Sequence, residues 1–154
     1  MRVEFINPFL DAAVNVIHTM AFISPSPGNV SLKTQQEAKG DITGIIGLTG
    51  SVQGSLAVSF SESCALKIVE NMLGEKFDAL NDQVADAVGE LTNMISGDAR
   101  SKLQKLGYNV TAAIPAVIRG KGHTVKHIAP GKPIILIPFS TADGDFFVEA
   151  SLSS

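Results

Sequence analysis

Cysteine occurs once in the 154 residues, at Cys64. A single thiol excludes an intrachain disulfide and any cysteine-rich metal cage, and it suits a reducing compartment. Cys64 could be a nucleophile or redox thiol. A free cysteine on an amphipathic helix is more often a small buried apolar residue, and that is the reading adopted. Basic excess is also missing: 12 Lys and Arg stand against 15 Asp and Glu, for a net charge of −3. Without a basic stripe, binding to nucleic acid through phosphate neutralisation is not expected. No apolar run approaches the ~18 residues that suggest a membrane span. The opening MRVEFINPFLDAAVNVIHTM lacks the charged, then apolar, then small pattern of a secretory signal. A cytoplasmic protein that does not enter membranes is the expectation.

Phosphate-loop and metal signals are scarce too. The glycines of GIIGLTGSVQG lack the lysine of a phosphate-binding loop and read as turn and bulge positions. His18, His123 and His127 share no spacing with carboxylates that suggests a common site. His123 and His127 are four apart and could hold zinc on a helix. Thr124, Val125 and Pro130 make GHTVKHIAPG a strand or loop instead, so no bound metal is expected.

What is present is a core. Hydrophobic residues make up 45% of the chain and charged residues only 18%, which places it among folded globular proteins and predicts one domain over residues 1–154. In PFLDAAVNVIHTM, Phe9, Ala13, Val16, Ile17 and Met20 recur at helical spacing, with Asn7 as cap and Pro8 in the first helical position. ISPSPG breaks the chain, VSLKTQQEA from Val30 alternates as an exposed strand, and ITGIIGLTGS and QGSLAVSFS form a hairpin. Ser61 and Gly74 bracket a second helix, and a long third helix runs from about Asp82 to Gly107. VTAAIPAVIRG, KPIILIPFSTADG and DFFVEASL supply three more strands. The expected fold class is α+β, a six-stranded antiparallel sheet with helices mainly on one face. IIGLTGSVQGSLAVSF and IILIPFSTADGDFFVEA also look alike, each a hairpin following a helix, which suggests a pseudo-repeat.

The long helix holds the chemistry. At about 100° per residue, Val84, Val88, Leu91, Ile95 and Leu106 fall on one side as a core face. Gln83, Asp86, Glu90, Asn93 and Gly97 gather on the opposite side. The bland reading of that row is a solvated face. Asn93 and Gly97 resist it, because both weaken a helix, Gly by ~1 kcal/mol, and a purely solvated position would carry Lys, Glu, Ala or Gln. A bare glycine admits another surface, and an exposed carboxamide can hold a water in a fixed direction. Carboxylate, carboxamide and gap together read as a docking and water-positioning site.

GELTNMISGDARSKL resembles the active-site helix of the CheC/CheX/FliY family of bacterial phosphatases, which act on the phosphorylated aspartate of the response regulator CheY. The family pattern, Glu-x-x-Asn followed by a Met-Ile-x-Gly-like run, is matched by Glu90, Asn93, Met94, Ile95 and Gly97. NPFLDAAVNVIHTM is similar to the first helix of CheX-like members, and the likeness in element order spans essentially the whole chain. Asp98 and Ala99 stand where relatives often carry Asn-Ala. Laying AAVN (Ala12 to Asn15) on ELTN matches Asn15 to Asn93, but Ala12 replaces the glutamate, which implies one active helix and a CheX-like member.

The resemblance implies Glu90 and Asn93 as catalytic residues and Asp86, Met94 and Gly97 as partner-binding ones. It implies a phosphorylated CheY-type response regulator as partner, Mg²⁺ supplied by that regulator with no cofactor bound by this chain, and a homodimer joined edge to edge through its sheets. The alternatives are a receiver-binding adaptor of the same fold that hydrolyses nothing, and a dimeric structural domain whose polar row is merely solvated.

Overall fold

The computed structural model describes residues 3–127 and 133–153. A short 3-10 turn, Val3–Phe5, leads into α1 (Ile6–Ala21). There follow β1 (Ser26–Pro27), β2 (Ser31–Lys33), β3 (Ile42–Gly50), β4 (Gln53–Phe60), α2 (Glu62–Leu73), α3 (Asp82–Lys105), β5 (Val110–Ala112), β6 (Ala116–Arg119), β7 (Ile134–Thr141) and β8 (Gly144–Ser153). Every strand pairing is antiparallel, in the order β1-β7-β8-β4-β3-β5, with β2 also on β7 and β6 also on β3.

The sheet thus has eight strands where six were expected, yet it is six positions wide. Each outer position is filled by two short segments, β1 with β2 and β5 with β6. The run VTAAIPAVIRG divides at Ala113–Pro115, where a proline cannot donate to the ladder. On the other edge ISPSPG, expected only to break the chain, contributes β1, whose Pro27 is tolerated because edge strands need not donate outward. The VSLKTQQEA strand ends at Lys33. The strand expected from Lys132 begins at Ile134; Lys132 and the IAPG end of the histidine loop lie outside the described residues.

The pairing reveals how the repeat is built. Helix, broken edge strand and hairpin occur twice, as α1–β1β2–β3β4 and α3–β5β6–β7β8, with α2 between them. Each edge segment pairs with the other unit's hairpin, β1 and β2 on β7 and β5 and β6 on β3, while β4 and β8 meet at the centre.

Alternation along the central strands assigns the two faces. Leu56, Val58 and Phe60 of β4 and Phe146, Val148, Ala150 and Leu152 of β8 join Ile17, Ile68, Leu91 and Ile95 of the helices in one apolar core. Ser55, Ala57 and Ser59 of β4 and Glu149 and Ser151 of β8 belong to the intervening positions, and they are buried as well. Two arms cross that second face. Ala38 donates to the carbonyl of His123, Val125 donates to the carbonyl of Gln36, and Glu37 bridges Thr124.

Helix ends follow local chemistry with one exception. Ser61 Oγ accepts from the Cys64 N–H at 3.4 Å, and Gly74 closes α2 at φ +68°, where glycine is the least strained residue. Asn81 Oδ1 accepts from the Val84 N–H at 3.0 Å, which fixes the first turn of α3. α1 departs from expectation: it begins at Ile6 without a side-chain cap, Asn7 lies inside its first turn, and Pro8 is the third helical residue. Pro8 fits there because the first four helical N–H groups have no intrahelical acceptor. Leu106, expected on the core face, is 51% exposed because the helix ends at Lys105. No helix among the described residues is long and apolar enough to cross a membrane.

Candidate functional site

Helix α3 presses on β3 through its buried face. Thr92 is fully buried, its hydroxyl donating to the carbonyl of Val88 at 2.8 Å. Gly44 of β3 faces it, and a Cβ there would stand 1.9 Å from Thr92 Oγ1. Close approach of strand and helix at this point sets the height of the next residue, Asn93, above the sheet. Gly89 makes a second close contact: an added Cβ would meet Val117 Cγ2 of β6 at 3.3 Å.

The other side of α3 opens onto a groove of about 670 Å³ between its N-terminal half and the β6 edge. Asp86, Glu90 and Asn93 line it from the helix, and Pro115, Val117 and Arg119 from the edge. Asp86, Glu90 and Asn93 are exposed, and none has a side-chain hydrogen bond or ion pair among the described residues. A carboxylate and a carboxamide one turn apart therefore face outward with their bonding capacity free. Arg119 is committed differently: it donates to the Leu80 carbonyl (2.9 Å) and to Asp82 Oδ1 (2.5 Å), tying the groove's far wall to the start of α3.

Not all the expected site residues share this groove. Gly97 lines a neighbouring hollow of about 390 Å³ with Arg100, Gln104, Asn109 and Thr111. A Cβ on Gly97 would meet only Arg100 Nη2, at an ordinary 3.7 Å, so nothing inside the chain requires glycine there. Met94 is half-buried and packs against the core. On α1, Asn15 is exposed, but its amide points to Asp98 Oδ2 at 3.5 Å, and Asp98 also receives Lys102 at 2.8 Å. Ala12 is fully buried, so a carboxylate at that position would sit in the core.

Sequence reasoning missed the edge-strand wall, because nothing local indicates that β6 runs alongside α3. It also missed a buried polar chain on the second face of the sheet. Lys33 Nζ donates to Glu149 Oε2 at 2.8 Å, His127 Nε2 lies 3.0 Å from Glu149 Oε1, and Ser55 Oγ lies 2.7 Å from His127 Nδ1. Burial alone would raise the Glu149 carboxyl; the bonds from His127 and Lys33 outweigh it and hold the group below the usual carboxylate range. His123 is engaged with Thr43 Oγ1 (2.7 Å) and the Gly120 carbonyl (2.6 Å). Both rings thus use both nitrogens for structure. Cys64 is buried, and desolvation pushes its thiol up to about 12, as befits an unreactive core residue.

Comparison with known proteins gives consistent results. Residues 42–140 match the family model for the chemotaxis phosphatase CheX. The CheY-P phosphatase CheX of Thermotoga maritima is 31% identical over 156 residues, covering 100% of this chain and 99% of that protein. Among solved structures, a CheC-like superfamily protein from Shewanella sp. PV-4 superposes with a TM-score of 0.92 at 42% identity, covering 100% of both chains. The CheX of a CheX–CheY–BeF3–Mg²⁺ complex from Borrelia burgdorferi superposes with a TM-score of 0.83 at 28% identity, covering 99% of this chain and 100% of that one. With the family model spanning most of the fold and a full-length curated relative, the chain belongs to the CheX family of chemotaxis phosphatases.

Proposed function

We infer that the chain dephosphorylates a CheY-type response regulator, with Asn93 and Glu90 of α3 as the working residues. The observation that carries this reading is the pair of outward-facing, unpartnered side chains in the α3 groove of a CheX-family fold. Hydrolysis of an aspartyl phosphate requires a water in line with the leaving carboxylate and neutralisation of the phosphoryl oxygens. The regulator brings the acyl phosphate, a lysine and its own Mg²⁺, which supplies that neutralisation. Glu90 receives the lysine and fixes the register of docking. Asn93 enters beside the phosphoryl group and directs a water onto phosphorus. The new P–O bond forms as the bond to the aspartyl oxygen breaks, releasing inorganic phosphate and a free carboxylate. An amide is no strong base, so its contribution is positioning.

Asp86, exposed on the same wall, extends the acidic end of the row. Gly97 leaves the helix bare one turn past Asn93, and the exposed part of Met94 would lie against the docked partner. The setting is cytoplasmic, and two copies associate through exposed sheet edges into a homodimer.

The experiment is release of phosphate from a phosphorylated CheY-type receiver. The chain should accelerate it, and Asn93→Ala should lose on the order of 100-fold while remaining folded. Binding of the receiver with no change in phosphate lifetime would instead identify an adaptor.

A further inference from the structure

Arg100 stands seven residues beyond Asn93, two helical turns and about 10 Å along the same stripe of α3. Helical side chains lean toward the N-terminus, so its guanidinium lies back over Gly97, with Nη2 the one atom that a Cβ on Gly97 would meet. The Nε donates to Ser96 Oγ at 3.2 Å, a buried hydroxyl that holds the side chain against the helix. The Nη atoms have no carboxylate partner among the described residues. Asp98, the acid nearest in sequence, is engaged instead by Lys102. Arg100 is therefore a half-buried cation, fixed at one nitrogen and open at the other two, at the mouth of the polar hollow beside Asn109 and Thr111.

Along α3 the exposed groups now run in a fixed order. Asp86 and Glu90 are anionic, Asn93 is neutral, Gly97 is bare and Arg100 is cationic. We propose that Arg100 is a second docking residue of the α3 surface, pairing with an acidic side chain on the regulator that flanks its phosphorylation site. This rests on the reading of the α3 row as the regulator-docking surface. Lysine against Glu90 at one end and acid against Arg100 at the other permit a single orientation of the partner, because reversing it would place like charges together at both ends. Gly97 then has a specific role: it leaves bare helix between amide and guanidinium, where a longer side chain would displace one or the other.

The test compares wild type with Arg100→Gln, Arg100→Lys and Arg100→Glu against a phosphorylated CheY-type receiver, separating KM from kcat at two salt concentrations. Arg100→Gln should raise KM about fivefold with kcat retained, and flatten the salt dependence of KM. Arg100→Lys should restore most of the loss, Arg100→Glu should deepen it, and thermal unfolding should be nearly unchanged in all three. Equal KM for wild type and Arg100→Gln, with Asn93→Ala inactive, overturns the proposal and leaves the phosphatase reading intact. Receiver binding by the Asn93→Ala chain, with and without Arg100→Gln, reads the contact apart from turnover. If wild type binds without hydrolysing and Arg100→Gln weakens that binding, the phosphatase reading fails and the docking contact stands. A chain that neither binds nor hydrolyses overturns both.

Discussion

Gly44 and Thr92 lie so close that no side chain fits between them: a Cβ on the glycine would be 1.9 Å from the threonine hydroxyl oxygen and 2.9 Å from its Cβ. Both are buried, one in the interior strand β3 and the other in α3, so neither can move aside without shifting its whole element. Gly44→Ala should destabilise the chain by about 1–3 kcal/mol in urea unfolding. Because Thr92 precedes Asn93, phosphatase activity should fall further than the loss of folded protein explains. Unchanged activity per folded molecule would dissociate the strand–helix contact from the site.

Gly97 should behave in the opposite way. Its surroundings leave room for a methyl group, and alanine is favoured over glycine in a helix. Gly97→Ala should raise stability by up to about 1 kcal/mol and weaken receiver binding. A variant that is more stable and binds equally well would show that the bare helix has no docking role.

Asn81 caps the helix that carries the site. Asn81→Ala removes the acceptor for the Val84 N–H and should lower stability by about 1 kcal/mol. Arg119, bound to Leu80 and Asp82 on either side, should limit the fraying to the first turn. Amide exchange at Val84 and Ala85 would report it.

Glu149 should govern the acid limb of stability. Its folded-state carboxyl is held below the unfolded value by Lys33 and His127 against the effect of burial. The stabilisation is therefore complete above the unfolded value, near the ordinary ~4.3 of a glutamate, and is lost as pH falls through the lower folded one. Glu149→Gln should flatten this part of the stability profile. At neutral pH it should also be less stable by about 3–5 kcal/mol, since Lys33 is left buried without its counter-charge. Lys33→Met with Glu149→Gln together should recover part of that loss, as measured by thermal and urea unfolding.

Cys64 should titrate and react late. With the thiol raised to about 12, its contribution to stability is full below the unfolded value of ~8.5 and declines as pH rises toward the folded one. A thiol reagent at pH 8 should label the folded chain at the rate of global or local opening. Rapid labelling of folded protein would place the sulfur at the surface.

The helical half of this molecule was legible because period and caps are local. Val84, Val88, Leu91 and Ile95 mark the inner face of α3 from their spacing, and Glu90 and Asn93 follow as the outer one. Ser61 and Gly74 mark the ends of α2 through bonds to residues within four positions, while Asn7 misled as a cap because α1 begins one residue before it. Leu106 misled because periodicity continues on paper after the helix has stopped. The sheet was half-legible: its strand runs were found, but whether an edge run stays whole depends on the partner it meets, as the break at Ala113–Pro115 against β3 shows. The Lys33–Glu149 pair joins residues 116 apart in sequence, and no spacing announces it. The groove's second wall was invisible for the same reason: Val117 and Asn93 line one groove only because the edge crosses to the other unit's hairpin.

That crossing ties the fate of one half to the other. Separated between α2 and α3, the two halves would each hold a hairpin stripped of its outermost ladder and an orphan ribbon that belongs to its twin. The half bearing Asn15, though its amide is turned to Asp98 and not to a visitor, still furnishes the strand on which Val117 and Arg119 are hung. The first unit is not spare cargo in this architecture: discard it, and the groove beside α3 loses the strand that anchors its far bank.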